Sequence, residues 1–151
     1  MKALFTYQVL PGYQQIAFIN LILQIIVLAM LGLAILFRIK GNFRRHGMVM
    51  LSAVVLHVIL FLLVMGPSFL SLEPFVISQP TDRLSALTLA HIIMGGISII
   101  LGLWLVGSWH LQLSIQGCMK RKPIMRITIT LWVTSLILGI LLFRLLYPTF
   151  P

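Results

Sequence analysis

Four long apolar stretches are the feature that most constrains this chain. Each contains about 20 residues, enough for a helix to cross a hydrocarbon layer of ~30 Å. They occupy most of the 151 residues, of which 60% are hydrophobic and only 9% charged. A water-soluble domain does not bury so much apolar surface. The pattern predicts an all-α integral membrane protein, a four-helix bundle with up-down-up-down topology in a single domain over 1–151.

The polar breaks between the stretches predict where the helices end. The expected spans are 13–37, 46–65, 84–107 and 124–147. The basic link from Arg38 to Arg45 is short, so we expect a tight turn there between antiparallel helices. Gly66 and Pro67 are helix breakers, and we expect the longest loop to run from Gly66 to Arg83.

The Lys and Arg residues are divided unevenly between the two sides that this topology defines. Eight lie in or beside the first and third links: Arg38, Lys40, Arg44, Arg45, Lys120, Arg121, Lys122 and Arg126. Only Lys2, Arg83 and Arg144 fall on the other side. Because cytoplasmic loops carry an excess of Lys and Arg, links 38–45 and 110–123 are expected in the cytoplasm. Both termini of this multi-pass protein of the cell membrane are then outside.

The formal net charge of +9 does not indicate nucleic-acid binding. The cations flank the apolar spans, and no basic segment interleaved with aromatic residues exists to stack bases. The lipid bilayer and subunits of a membrane complex are the expected partners. Cys118 is the single cysteine, which rules out an intrachain disulfide and a cysteine-based metal cluster. Paired carboxylates, a nucleophile with a base, and a phosphate loop are all missing, so we do not expect an enzyme.

Three histidines fall within the predicted spans. His46 and His57 are eleven residues apart on the second helix, which brings both to nearly one face, ~16 Å apart along the axis. His91 lies on the third helix. Counted from the outer loop, His57 and His91 both lie ~10 to 13 Å inside the membrane. Ionisable groups at such depth usually mark a function.

Several explanations of these histidines remain open. Two imidazoles at matched depth suit a bis-histidine haem, so His57 and His91 are candidate ligands of haem b. Copper is a less expected alternative, with His46, His57 and His91 as candidate metal ligands. The histidines alternatively hydrogen-bond a neighbouring helix, through Asn20 or Gln24, and hold the bundle together without any cofactor. A proton relay is the remaining explanation.

The third helix carries small and polar residues at steps of three and four. They are Thr88, His91, Gly95, Ser98 and Gly102. Such a stripe lets helices approach closely. A glycine-lined wall beside His91 would also leave room for a flat macrocycle.

Short motifs in the second half of the chain resemble a known family. They are Arg45 to Met50 at the start of helix two, Ala90-His91-Ile92 in helix three, and the basic run before helix four. Over roughly 43–147 the sequence resembles domain-of-unknown-function family 420, which comprises small four-helix membrane proteins. Some of its members are linked to the maturation of haem-copper terminal oxidases. His46 and His91 match the first two family motifs, whereas the third lacks its histidine and tryptophan here.

These observations lead to three functional hypotheses. The first is a non-catalytic accessory or assembly subunit of a membrane respiratory or redox complex, which engages haem or copper through its intramembrane histidines. The second is a b-type cytochrome subunit that transfers electrons through one haem ligated by His57 and His91. The third is a purely structural subunit that packs against a larger partner through the stripe around Gly95.

Overall fold

The structure of the protein is a computed structural model that describes residues 11–112 and 121–148, with side chains for 14–108 and 121–148. Within these residues the fold is all-helical and contains no strand, as the sequence predicts. The elements are α1 (Pro11–Ile39), α2 (Phe43–Leu60), a π-helical turn (Phe61–Met65), α3 (Gly66–Ser78), α4 (Arg83–Gln112) and α5 (Lys122–Leu146).

Four helical segments are long and apolar enough to cross a membrane. They are Gln14–Ile39, Phe43–Ser78, Arg83–Ser108 and Lys122–Leu146. Many of their large apolar side chains lie on the outside of the bundle, including Leu63 at 71% exposure and Ile100 at 67%. Extended apolar surfaces of this kind are typical of contact with lipid. Length and composition therefore indicate a multi-pass membrane protein.

The second spanning helix is longer than the sequence predicts. The expected loop from Gly66 to Arg83 is wrong, because the chain stays helical to Ser78 and only residues 79–82 connect α3 to α4. The N–H of Gly66 donates to the carbonyl of Phe61, five residues earlier, within the π-helical turn. Such a widened turn lets a membrane helix accommodate a proline, here Pro67, which has no N–H to donate.

The connection between α1 and α2 is the tight turn that the basic link predicts. Gly41 has a positive φ of 74°, a conformation that glycine adopts without steric cost after the last turn of a helix. The side chain of Asn42 then accepts a hydrogen bond from the N–H of Arg45, at 3.1 Å, and caps the start of α2. The turn therefore spans only 40–42 and brings α1 and α2 into direct contact.

The bundle is built from two tightly packed helix pairs. α1 packs mainly against α2, and α4 packs mainly against α5. The largest buried cluster joins both pairs, because Trp132 of α5 packs among residues of α1 and α2. The other members of this cluster are Val27, Leu31, Ala34, Met50, Ala53, Val54 and Leu60.

Two glycines allow α4 and α5 to approach closely. A Cβ at Gly95 of α4 would lie 2.9 Å from Oγ of Ser135 on α5. A Cβ at Gly139 of α5 would lie 3.1 Å from Cε1 of His91 on α4. Each helix thus supplies a glycine opposite a polar side chain of the other, as is usual at helix interfaces within membranes.

We predict that Gly95→Ala destabilises the protein by about 1–3 kcal/mol, because the added methyl displaces Ser135 from a closely packed interface. Gly96→Ala is the matched control, since a Cβ at Gly96 has nothing within 4 Å. That control should be neutral or slightly stabilising, because alanine favours helix more than glycine does. Thermal unfolding of the two variants in mild detergent compares them. Equal loss of stability in both would contradict this packing.

Candidate functional site

His57 lies at the centre of the bundle, where α1, α2 and α5 meet. Its side chain is only 5% exposed. Nδ1 of its imidazole lies 2.9 Å from Oε1 of Gln24 on α1, and Gln24 itself is 6% exposed. The imidazole also packs against the indole of Trp132 on α5, with 4.4 Å between ring centroids and 46° between ring planes. One side chain thus connects three helices, and the predicted contact of a histidine with Gln24 is confirmed.

His91 connects α4 to α5 in a similar way. Its Nδ1–H donates to the backbone carbonyl of Ser135 at 2.8 Å. The hydroxyl of Ser135 in turn donates to the carbonyl of His91 at 3.2 Å. Gly139, one turn further along α5, lies directly beside the imidazole. This reciprocal pair of hydrogen bonds fixes the position of the His91 ring on the surface of α5.

His57 and His91 contact the same face of α5, at different positions along its length. His57 contacts Trp132, whereas His91 contacts Ser135 and Gly139. Trp132 and Ser135 are three residues apart, or ~4.5 Å along a helix. Gly139 lies a further four residues along α5, or ~6 Å. Because the helix of His57 continues to Ser78, the predicted depth of His57, counted from a loop at Gly66, is wrong.

His46 occupies a separate position near the start of α2. It is 6% exposed, and its Nδ1–H donates to the backbone carbonyl of Ala34 on α1 at 2.8 Å. This hydrogen bond holds α1 and α2 together close to their connecting turn. His46 is eleven residues from His57 on one continuous helix, ~16 Å along the axis, so it does not belong to the same site.

The hydrogen-bond partners determine which ring nitrogen of each histidine carries the proton. The acceptors are Oε1 of Gln24 and the backbone carbonyls of Ala34 and Ser135, and carbonyl oxygens can only accept. Nδ1 is therefore the donor in all three rings. In a neutral imidazole this leaves the lone pair on Nε2, the usual arrangement of histidines that bind a metal.

Four buried polar atoms have no partner among the described residues. They are Nε2 of His57, Nε2 of Gln24 and Oδ1 of Asn20, together with Oγ of Ser85 on α4. An unsatisfied buried donor or acceptor costs about 1–3 kcal/mol. Asn20 lies one turn from Gln24 on α1, so three of these atoms surround one region. The His57 lone pair therefore has the chemistry and the burial expected of a ligand atom.

The three predicted metal ligands do not come together. Among the residues that the structure describes, no group of three His, Cys, Asp or Glu side chains could hold a metal ion. His57 and His91 each contact α5, and His46 lies apart from them near the start of α2. The side chain of His110 and the whole of Cys118 lie outside the described residues.

The stripe of small residues on α4 is used for packing within the chain. Ser135 fills the space beside Gly95, and the side chain of Val54 lies 3.4 Å from a Cβ built at Gly102. The glycine-lined wall therefore offers no room for a macrocycle at these two positions, and Gly95 is not free to pack against another protein.

Trp132 is the site residue that the sequence analysis missed. It is buried at 4% exposure and packs against His57. Trp132, Ser135 and Gly139 recur at steps of three and four on α5, which is the spacing of one helix face. That spacing was a usable signal, because it places an aromatic, a polar and a small residue opposite the two histidines.

Comparison with known proteins gives no relative. No family model matches the chain, no curated protein matches it, and no solved structure matches it. The resemblance to family 420 therefore stays a prediction from short motifs. Inferences about function have to come from the chain's own side chains.

We predict that Gln24→Leu destabilises the protein by about 1–3 kcal/mol, because it leaves the buried Nδ1–H of His57 without an acceptor. His57→Phe keeps a ring against Trp132 and removes both imidazole nitrogens. The double variant should be clearly more stable than the sum of the two single effects, since neither side chain then leaves a polar atom of the other without its partner. Unfolding free energies in detergent measure this coupling.

Gln15→Leu is the control for the glutamine substitution, because Gln15 is an exposed residue on the same helix. It should change the stability little. Strict additivity of Gln24→Leu and His57→Phe would show that the two side chains do not interact.

Proposed function

We propose that this protein is a non-catalytic accessory or assembly subunit of a membrane redox complex, and that it binds copper or haem iron through His57 and His91. The observation that carries the proposal is the buried Nε2 of His57, which has a lone pair and no partner among the described residues. Coordination to a metal would satisfy this atom. His91 is the second ligand, because it shares the same face of α5.

The surrounding residues have defined roles in this proposal. Gln24 and the carbonyl of Ser135 accept the Nδ1–H groups and so hold each imidazole in the tautomer that presents Nε2. Trp132 and Gly139 restrict rotation of the two rings. A bound copper ion or haem iron would supply one-electron chemistry, which the protein side chains themselves lack.

We further infer an up-down-up-down arrangement in the cell membrane, with both termini outside. The links 38–45 and 110–123 then lie in the cytoplasm. Support comes from the charge distribution, since eight of the eleven Lys and Arg residues lie in or beside these links. In this arrangement His91 is in the outer half of the membrane, nine residues from Asp82, and His46 is near the cytoplasmic surface.

A b-type cytochrome subunit is the second candidate. Two imidazoles that come from different membrane-spanning helices favour a bis-histidine haem. The close packing of α4 against α5 at Gly95 weighs against it, because a macrocycle needs more space than one ion. An absorbance spectrum separates the two candidates, since only the cytochrome shows reduced-minus-oxidised haem bands.

The proposal is tested by metal and haem analysis of the full protein purified in mild detergent. We expect about one copper or haem iron per chain, and at least a tenfold loss of binding in His57→Ala and in His91→Ala, since each removes one of two ligands. His46→Ala is the matched control. It also removes a buried imidazole that donates to a neighbouring helix, but it should leave the metal content unchanged.

Two outcomes would contradict this account. Folded wild-type protein that stays colourless and free of metal after exposure to copper and haem would leave a structural subunit as the function. Equal loss of metal in all three histidine variants would mean that the loss reflects damage to the bundle rather than removal of ligands.

A further inference from the structure

A cavity lies between three helices at the basic end of the bundle. It has a volume of about 330 Å³ and is lined by Ile35, Arg38 and Ile39 of α1, Phe43 of α2 and Lys122 of α5. Two cations from different helices thus lie beside three apolar side chains. Ile39 is 75% exposed.

The positive charge at this end of the bundle has no acidic counterpart nearby. The whole sequence contains two acidic residues, Glu73 and Asp82. Glu73 lies on α3, at the opposite end of the long helix that begins at Phe43. Asp82 immediately precedes α4 and accepts a hydrogen bond from the N–H of Leu84. Neither carboxylate is therefore available to neutralise Arg38 or Lys122.

The position of the cavity along the helices agrees with the level of lipid headgroups. The guanidinium of Arg121, next to Lys122, lies 5.3 Å from the ring centroid of Trp104 on α4. Trp104 is half exposed, and tryptophans of this kind are enriched at the membrane interface. Trp104 is separated from Asp82 by 22 residues of helix, or ~33 Å, about the thickness of the hydrocarbon core.

We propose that this cavity binds the phosphate of an anionic phospholipid. Arg38 and Lys122 would pair with the phosphodiester, and Ile35, Ile39 and Phe43 would contact the glycerol and the first methylenes of the acyl chains. Basic pockets between membrane helices on the cytoplasmic side suit such headgroups. An anion without a hydrocarbon chain would use the two cations and leave the apolar wall uncovered, which is why a lipid fits better than free phosphate.

The test uses the full protein in non-ionic detergent, titrated with dioctanoyl-phosphatidylglycerol, dioctanoyl-phosphatidylcholine or inorganic phosphate and followed by thermal unfolding. We expect the anionic lipid to bind at least about tenfold more tightly than the other two probes. Arg38→Gln/Lys122→Gln should weaken that binding about 30-fold, since each cation near the membrane surface contributes.

Arg83→Gln/Arg144→Gln is the matched control, because it removes two exposed cations from α4 and α5 that do not line the cavity. It should bind the anionic lipid as the wild type does. If the Arg38 and Lys122 double variant does not fold, Lys122→Gln alone should weaken binding about fivefold.

Three results would overturn the proposal. One is equal affinity for the two lipids. Another is equal weakening in the two double variants, which would indicate general attraction to net charge. The third is inorganic phosphate binding as tightly as the anionic lipid, which would indicate a site for free anions. None of these readouts depends on the metal content of the protein, so this test is independent of the proposed function.

Discussion

The bundle depends on hydrogen bonds that histidines donate from one helix to an oxygen of another. Inside a membrane there is no hydrophobic effect to drive apolar helices together, so packing and polar contacts determine how they associate. His46 joins α2 to α1, His57 joins α2 to α1, and His91 joins α4 to α5. Each bond uses Nδ1 and leaves Nε2 as the nitrogen with the lone pair. The hydrogen bonds that hold the bundle together thus also leave a lone pair on Nε2, the candidate ligand atom.

α5 contacts both of the deep histidines. Trp132 packs on His57 and belongs to the largest buried cluster, and Ser135 and Gly139 contact His91. Glycines at the α4–α5 interface allow the helix backbones to approach, which in turn lets the carbonyl of Ser135 reach the imidazole. Packing and polar contacts are therefore coupled, and a larger residue at Gly95 or Gly139 would disturb a hydrogen bond as well as a packed surface.

The sequence predicted four membrane-spanning helices, because the length of each apolar stretch can be read directly from it. The bounds of α1 and α5 lie within two residues of the predicted spans. The predicted end of the helix at Gly66 and Pro67 was wrong, because the helix continues through a π-helical turn. Turns of this kind depend on the backbone around the proline. Asn20 and Gln24 were predicted as alternative partners of a histidine, and the structure shows the contact at Gln24.

Other site contacts depend on how each helix is rotated about its axis, which single-sequence periodicity determines poorly in helices that are apolar on nearly all sides. The carbonyl of Ser135 as acceptor for His91 could not be predicted, because every residue has a carbonyl. The spacing of Trp132, Ser135 and Gly139 indicates a shared face of α5, but it does not show that Trp132 packs on His57. For the same reason, the sequence did not show whether the stripe of small residues on α4 packs against another helix or lines a cofactor site.

The proposed ligand role of His57 depends on its tautomer, because Gln24 holds the imidazole with the proton on Nδ1. Nitrogen NMR of protein with ¹⁵N-labelled histidine in bilayers tests it directly, with the His57 signals identified by their loss in His57→Phe. We predict a protonated Nδ1 and an Nε2 that is unprotonated or shifted by a bound metal. A protonated Nε2 with an unprotonated Nδ1 would contradict both the hydrogen bond to Gln24 and the proposed ligand role.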